Sequence, residues 1–274
     1  MRRTAFFLTV VMLAPISVAQ KTEITPGSAA LPMKQAKEIR FKHASFTFVR
    51  IKYAGRMRPR RSAISGWATD YPDADLNLST RLQKVTGLPV SDPKVIELTD
   101  PNLKQHPFIY VAEPGYMQLA PVEVQQLREY LLNGGFLMID DFWGVDEWQN
   151  LAEQMARVFP DRQMFDVPRT HQIFHSLFDI PNEMNLQVPS IGYAMNGKSV
   201  GETWEAGKRY DGDTATHFRG YNDDKGRLCV MICHNTDTAD GWEREGENEF
   251  YFREFSEKKA YPLGINVVVY ALSR

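Results

Sequence analysis

The sequence predicts an α/β domain, a three-layer sandwich with a mainly parallel central sheet. Three consecutive segments carry this prediction: the apolar run FIYVAEP from Phe108, the amphipathic segment PVEVQQLREYLLNGG, and the apolar run FLMIDDFWG that ends near Trp143. An apolar strand, an amphipathic helix and a second apolar strand form a βαβ unit. Units of this kind build parallel sheets that helices cover on both faces.

The elements before this unit fit the same pattern. FTFVRIKY, from Phe46 to Tyr53, is rich in β-forming residues and predicts the first strand. The apolar positions from Leu78 to Val85 share one helical face, and Gly87 suits the C-terminal cap of that helix. KVIEL then predicts a short second strand around Val95 to Leu98.

The helix of the central unit has clear end signals. Pro121 fits its first helical position, and Gly134 and Gly135 stop it before the next strand. A further amphipathic segment predicts a helix from about Val145 to Phe159, which Pro160 ends. The N-terminus of that helix follows directly after two adjacent aspartates.

The C-terminal half is less regular. From Arg162 to Gly226 turn residues are frequent and no long apolar stripe occurs, which predicts insertions and irregular hairpins. LCVMIC then predicts a return to the central sheet. The closing segment from Tyr261 to Leu272 fits a helix packed on the sheet, although INVVVY is β-branched enough for a strand.

The N-terminus has the pattern of an export signal. Arg2 and Arg3 precede an apolar run from Ala5 to Val18, and small residues precede a candidate cleavage point after Ala19. No second segment approaches the roughly 20 apolar residues that a membrane span needs. We therefore expect a signal peptide over 1–19, a flexible spacer over 20–40 and a single extracytoplasmic domain, periplasmic or secreted, over 41–274 without a transmembrane span.

Charge and cysteine usage limit the function classes. The chain has 32 basic and 34 acidic residues, a formal charge of −2, which becomes −4 when Arg2 and Arg3 are removed with the signal. Such a mildly acidic domain is a poor nucleic-acid binder. Cys229 and Cys233 are the two cysteines, and on one strand their Cα atoms lie about 13 Å apart, beyond disulfide reach. Both are predicted to be free thiols.

The first candidate site follows the two strands of the central unit. In open parallel sheets, ligands bind where the strands end at the carboxyl edge, which is the predicted position of Glu113, Asp140 and Asp141. Adjacent carboxylates there must meet water, cap the next helix, or hold a cation or polar ligand. Capping of the helix near Val145 is the simplest role for one of them. Trp143 beside them suits either a stacking platform or the core.

A second candidate site is CHNTDTADGWE, which follows LCVMIC. His234, Asn235 and Asp237 would emerge at the same carboxyl edge, together with Trp242. Asn and Asp oxygens suit a hard cation, but the twelve-residue calcium-loop pattern with its terminal glutamate is absent, so the metal is unknown from the pattern. The alternative is a turn held by side-chain to backbone bonds.

Two further groups carry weaker signals. His171 and His175 have the i, i+4 spacing that on a helix places two imidazoles on one face and suits zinc with a third ligand, although one histidine capping a turn is the simpler account. His175 is the better candidate for a catalytic base. The arginines of residues 56–61 form a basic loop suited to carboxylate, phosphate or sulfated glycan, or to a solvated surface. Trp67 and Asp70 beyond that loop are predicted to line the pocket, whereas Asp75 is predicted to cap the helix.

Several motifs recur in the order of a known family. The chain resembles the uncharacterised bacterial family catalogued as domain of unknown function 4159 through WATDYPDADLNL, FIYVAEP, LREYLLNGGFLMIDDFWG, IFHSLFDI, CHNTDTADGWE and LGINVVVYAL. The resemblance implies a flavodoxin-like fold similar to class I glutamine amidotransferases, without a known activity. In that class the nucleophile is a cysteine at a strand-to-helix turn. Here the strand end has Asp140 and Asp141, so glutaminase chemistry is not expected.

These observations favour a ligand-binding or protein-interaction domain of the cell envelope. Its partner is an unidentified small molecule, glycan or envelope protein, and the sequence specifies no cofactor. The alternative is a hydrolase, metal-assisted or not, in which Asp140 or Asp141 with His175 activates water on a glycan or peptide that Asn235 and Trp242 position. A third interpretation is a scaffold whose carboxylates serve only as caps and salt bridges.

Overall fold

The computed structural model describes residues 31–34, 39–55, 66–200 and 214–274, without the side chains of residues 197–200. The predicted signal over 1–19, much of the spacer over 20–40 and the basic loop over 56–61 lie outside the described residues.

Seven strands of the described residues form one sheet in the order β2-β1-β3-β4-β7-β6-β5. The first five in this order run parallel, whereas β6 pairs antiparallel with both β7 and β5. The strands are β1 (Phe46–Ile51), β2 (Val90–Ile96), β3 (Phe108–Ala112), β4 (Phe136–Asp140), β5 (Phe165–Asp166), β6 (His217–Asn222) and β7 (Leu228–His234).

Helices connect and cover these strands. The α-helices are α1 (Asp73–Thr86), α2 (Pro121–Leu132), α3 (Gly144–Val158), α4 (Ile191–Val200), the short α5 (Asp240–Glu243) and α6 (Glu249–Tyr251), and α7 (Tyr261–Ser273). A π-helix over Phe252–Ala260 leads into α7. Short 3₁₀ helices span Gly66–Ala68, Leu103–Gln105, Pro114–Tyr116 and Gln172–His175.

The sheet is buried on both faces, as the apolar strands predict. Successive side chains of β3 point to opposite faces: Phe108 and Tyr110 join the core under α1 and α7, while Ile109 and Val111 join the core under α2 and α3. The predicted three-layer α/β arrangement is therefore confirmed. It brings the carboxyl ends of β1, β3, β4 and β7 to one edge.

Most predicted elements are confirmed, and β2 is the clearest difference. It begins at Val90 and ends at Ile96, whereas the prediction was a strand from Val95 to Leu98. Its first half contains Ser91 and Asp92 and its middle residue is Pro93, and such residues are disfavoured in central strands, so the sequence did not predict a strand there. They are tolerated here because β2 is an edge strand of the sheet.

The closing segment is a helix, which settles the open choice between helix and strand. Twelve of the thirteen residues of α7 are buried. A helix that is apolar on all sides is a buried helix, and packing against the sheet overrides the β preference of INVVVY. Close packing also requires Gly264, because a Cβ at this position would lie 2.3 Å from the Trp242 ring.

The two cysteines lie on β7 and are both buried and free, as predicted. Cys229 belongs to the core under α2 and α3, and Cys233 to the core under α1 and α7. Burial raises the pKa of Cys229 to about 12 and also raises the pKa of Cys233. Both therefore remain neutral thiols at physiological pH.

Asn266 is the buried polar residue that fastens α7 to the preceding irregular segment. Its Oδ1 accepts hydrogen bonds of 2.8 Å from the backbone N–H groups of Leu177 and Phe178. Its Nδ2 donates bonds of 2.8 Å to the carbonyl oxygens of Phe174 and Phe178. All four bonding positions of this amide are therefore filled within the chain.

We expect Asn266→Ala to lower the free energy of unfolding by about 3 kcal/mol or more, because buried backbone groups lose their partners. Urea unfolding followed by circular dichroism measures the change. Asn102→Ala, at an exposed asparagine, is the control and should stay within about 0.5 kcal/mol of the parent. Equal losses in the two variants would contradict the role given to Asn266.

Candidate functional site

Left-handed backbone marks the carboxyl edge of the sheet. Four described non-glycine residues have positive φ: Asp70 (61°), Glu113 (45°), Asp141 (58°) and Asn235 (61°). Glu113, Asp141 and Asn235 directly follow β3, β4 and β7. Residues held in this sparsely populated region cluster at binding and active sites, so the edge is the place to look for a site.

Three carboxylates from three loops converge there. One side-chain oxygen each of Asp70, Asp141 and Asp237 lies within 4.8 Å of the others. Asp141 and Asp237 come from the loops after β4 and β7, which the sequence predicted to meet. Asp70 comes from the loop after β1. The fold thus brings together three of the predicted site residues.

Asp70 is the unusual member of this cluster. The residue is half-buried, but its Oδ2 atom is fully buried and accepts no hydrogen bond. Burial, followed by the nearby charges of Asp240 and Glu243, raises the pKa of Asp70 well above its ordinary value, although Arg50 opposes this shift. A carboxylate that burial and like charge both disfavour is typical of a ligand site.

Asp70 also belongs to a second group of carboxylates, with Asp240 and Glu243. Arg244 lies beside this group, with its Nε 3.2 Å from Asp240 Oδ1 and 2.8 Å from Glu243 Oε2. Asp240 Oδ2 accepts bonds from the Ile191 N–H (2.6 Å) and the Tyr251 hydroxyl (3.0 Å). The sequence analysis did not identify Glu243 and Arg244. The signal that could have found them is an acidic and a basic residue three and four positions after Asp240.

Asp140 joins two loops of the site. It is fully buried, and its carboxylate accepts bonds from Thr238 Oγ1 (2.9 Å) and the Ala239 N–H (3.0 Å). Burial raises the pKa of Asp140 to about 7, although these bonds oppose the shift. Its side chain therefore holds the loop after β7 and does not cap α3.

The N-terminus of α3 obtains its partners elsewhere. The Trp143 N–H donates to Glu147 Oε2 (2.9 Å), and the Gly144 N–H donates to Asn235 Oδ1 (3.0 Å). Asn235 Nδ2 donates to the Ala215 carbonyl (2.9 Å). Asn235 thus links three segments, which is a positioning role beside the carboxylates.

His234 is held by its surroundings. Its Nε2 lies 3.1 Å from the Gly144 carbonyl and its Nδ1 lies 3.3 Å from the Arg219 guanidinium. The ring stacks between Phe142 (centroids 4.8 Å apart) and Trp148 (5.2 Å). These contacts make it a packed residue of the site wall.

Trp143 and Trp242, two of the candidate site residues, are buried. Trp143 is 1% exposed and Trp242 is 0% exposed. Trp242 packs on Gly264 and lies 6.1 Å from the Tyr110 ring. Trp143 is therefore a core residue, the second of the two roles that the sequence left open, and its burial excludes stacking on a sugar or peptide.

Glu113 and Trp67 line the site beside Asp70. Glu113 is 6% exposed, and its carboxylate lies against Gly66, where a Cβ would be 2.6 Å from Glu113 Oε2. Trp67 is half-buried, and its ring lies 6.3 Å from the Tyr71 ring. Both residues are at the predicted edge, and their binding roles stay predictions.

A buried ion pair that the sequence analysis missed holds the Asp70 loop. Arg50, on β1, is 0% exposed and donates from Nη2 and Nε to the Asp75 carboxylate, with Nη2 2.5 Å from Oδ1. Its Nη1 donates to the carbonyl oxygens of Trp67 (3.0 Å) and Thr69 (2.8 Å). Asp75 therefore pairs with Arg50 and does not cap α1, which corrects the prediction. The signal that could have revealed this ion pair is an arginine within an otherwise apolar strand, since a buried arginine needs an acidic partner.

The histidine pair lies elsewhere. His171 caps the 3₁₀ helix Gln172–His175, which is the capping role expected for one histidine of this pair. The shared face of a helix that zinc binding needs is not formed. His175 Nδ1 lies 2.6 Å from Asp179 Oδ1, and His175 Nε2 lies 2.9 Å from the Arg169 carbonyl. The His171 ring packs on Tyr270, near the end of α7.

That end of α7 lies at the opposite edge of the sheet from the carboxylates. Arg274, the next residue after α7, donates to the carbonyl oxygens of Gly134 and Gly135, which precede β4. It also donates to the carbonyl of Leu228, where β7 begins. The contacts of the histidine segment therefore place it toward the amino edge, away from Asp141.

The fold and the site together define an α/β three-layer domain with a carboxylate cluster at the carboxyl edge of its sheet. Comparison with protein families matches residues 47–272 to the family described as Domain of unknown function (DUF4159), and the chain belongs to this family. A search of curated proteins finds no match. Within the described residues, no helix combines the length and apolarity required to cross a membrane.

We expect Asp140 to make the stability of this protein depend on pH. Its pKa rises from 3.8 to about 7 on folding, so the folded protein holds a proton that the unfolded chain has released between these values. The free energy of unfolding should therefore fall as pH rises from about 4 to 7, by up to about 4 kcal/mol. Urea unfolding at pH 4.5, 6 and 8 measures this fall.

Asp140→Asn should make the fall smaller, because the titrating group is gone. Asp92→Asn, at an exposed aspartate of β2, is the matched control and should keep the pH dependence of the parent. An Asp140→Asn variant with the full pH dependence would show that another group is responsible.

Proposed function

We propose that this chain is an extracytoplasmic ligand-binding domain of the cell envelope that binds its ligand through the carboxylates of Asp70, Asp141 and Asp237. The convergence of these three side chains from three separate loops is the observation that carries the proposal. The carboxyl edge of a parallel sheet is the usual position for a ligand. The ligand is expected to bring positive charge to the cluster.

The buried oxygen of Asp70 supports a binding role over a purely structural one. Side chains that serve as caps or salt bridges use their buried oxygens, as Asp140 and Asp75 do. Asp70 Oδ2 is buried without such a partner. A group of this kind costs stability in the folded chain, and binding of a positively charged ligand offsets that cost.

The thiols argue against glutaminase chemistry. A cysteine nucleophile acts as a thiolate at an accessible position. Cys229 and Cys233 are buried on β7, and burial raises the pKa of each. The turn after β4 has Asp141 at the left-handed position. A site at this edge of the sheet would therefore act without a cysteine nucleophile.

The contacts of His175 weigh against the hydrolase alternative in the form predicted above. That mechanism needs a base within hydrogen-bond reach of the water that Asp140 or Asp141 positions. Both ring nitrogens of His175 lie within hydrogen-bond distance of Asp179 and the Arg169 carbonyl, toward the other edge of the sheet. Binding is the function that the arrangement of the described residues favours.

We expect Asp70→Asn to raise the melting temperature of the ligand-free protein at pH 7.5. The change removes a charge that burial and neighbouring carboxylates disfavour, and a gain of about 1 kcal/mol corresponds to about 2–4 °C. Asp75→Asn is the contrasting variant, five residues away. Breaking the buried pair with Arg50 should cost about 3–5 kcal/mol.

Thermal unfolding of both variants and the parent, followed by circular dichroism, separates the two kinds of carboxylate. A ligand site predicts opposite signs for the two substitutions. If Asp70→Asn destabilises the protein as Asp75→Asn does, Asp70 is a structural residue and the proposed function loses its main support.

We expect the exported protein to begin at Gln20. The full-length chain is expressed in a bacterial host, fractionated into cytoplasm and periplasm, and its N-terminus is determined by mass spectrometry. A cleaved, extracytoplasmic product agrees with the pattern from Arg2 to Ala19. A chain that stays in the cytoplasm with its first 19 residues would contradict export.

A further inference from the structure

We propose that Lys259 is a covalent modification site at which small aldehydes form an imine with the folded protein. This site is separate from the carboxylates of the proposed function and does not depend on them. Three features of its surroundings carry the inference: the partial burial of the amine, its hydrogen-bond partner and the type of helix on which it lies.

Partial burial distinguishes this amine from most others in the protein. Among the lysines whose side chains the structure describes, Lys258 and Lys259 are half-buried and the others are exposed. Lys259 Nζ lies 5.0 Å from the centroid of the Phe255 ring, and Phe255 is 7% exposed. The amine therefore faces an apolar surface where an exposed lysine has water.

The two adjacent lysines have different partners. Lys258 Nζ donates to both carboxylate oxygens of Glu254, at 2.8 and 2.9 Å. Lys259 Nζ donates to the backbone carbonyl of Gln187 (3.0 Å) and forms no ion pair with any residue that the structure describes. The carboxylate of their shared helix is thus paired with Lys258, and Lys259 has a neutral acceptor.

These surroundings favour the neutral form of the Lys259 amine. Burial disfavours a charged amine, and contact with a ring face compensates only part of the lost hydration. Burial lowers the pKa of Lys259 to about 8, although the charge of Glu254 opposes this shift and that of Lys258 adds to it. A desolvated lysine of this kind is the form of the residue that acts as a nucleophile toward carbonyl compounds.

The backbone around Lys259 is also unusual. Residues Phe252–Ala260 form a π-helix. This helix type is rare, occurs mostly as single turns and is frequent at functional sites. A run of nine residues in this conformation supports a functional role for a side chain that the run carries.

The reaction requires neither an oxidant nor a reductant. The neutral nitrogen of Lys259 attacks the carbonyl carbon of the aldehyde and forms a C–N bond. The two protons of the amine then leave with the carbonyl oxygen as water, and a C=N bond remains. Because the amine is half-buried, we expect small aldehydes to reach it and bulky ones to be excluded.

The test is reductive trapping with formaldehyde as the probe. The folded chain is treated at pH 7.5 with limiting formaldehyde and sodium cyanoborohydride, which reduces each imine to a stable methylamine. Mass spectrometry with peptide fragmentation then gives the labelling rate of each lysine. At this pH, a pKa of about 8 gives about 200-fold more neutral amine than the ordinary value of 10.5. Lower basicity and partial burial reduce this advantage, and we expect Lys259 to be labelled about tenfold faster than Lys258.

Two controls separate the effect of the fold from that of the local sequence. In the chain unfolded by guanidinium chloride, Lys258 and Lys259 should be labelled at equal rates, because the burial of Lys259 is lost. Glu254→Gln removes the ion pair of Lys258, and the folded variant should keep the preference for Lys259. The labelling rate of Lys259 should also level off above about pH 8, whereas that of the exposed Lys84 should keep rising.

Three results would overturn the proposal. In the folded chain, labelling of Lys259 at the rate of Lys258 or below it would show that burial only shields the amine. A preference that persists in the unfolded chain would assign it to the local sequence. A preference that disappears in Glu254→Gln would assign it to the ion pair of Lys258.

Discussion

The burial of several carboxylates at one edge of the sheet is the constraint on which the surrounding loops depend. Five parallel strands end at this edge, so the residues that follow neighbouring strands meet whether or not their charges repel. Each buried carboxylate must therefore have hydrogen bonds, a cation or a proton. Arg50 forms an ion pair with Asp75, and Thr238 and Ala239 donate hydrogen bonds to Asp140. These ion pairs and hydrogen bonds largely fix the conformation of the loops at this edge.

The same ion pair and hydrogen bonds, together with those of Asn235, also connect the loops to one another. Arg50 ties β1 to α1 and to the loop of Asp70. Asp140 ties the end of β4 to the loop after β7, and Asn235 ties that loop back to the start of α3. Rigid support of this kind is what a site needs to hold its ligands at fixed separations.

The sequence was a good guide to the chemistry at the edge and a poor guide to what individual side chains do there. It placed Asp141 and Asp237 together because parallel topology follows from the βαβ pattern. It did not find the partner of Asp75, since Arg50 is 25 residues away and the ion pair depends on the packing of α1 against β1. It also offered Trp143 as a platform, because tryptophan serves cores and binding surfaces alike and only burial separates the two.

The sequence by itself determined the layers of this protein, the boundaries of most helices and strands, and the edge at which polar residues gather, because hydrophobic periodicity and end signals are local. Tertiary structure decided that β2 is an edge strand, that α7 is a helix and that His175 lies away from the carboxylates. It also decided the partners of Asp75 and Asp140. Those outcomes depend on contacts between residues that are far apart in the chain, and no local pattern records them.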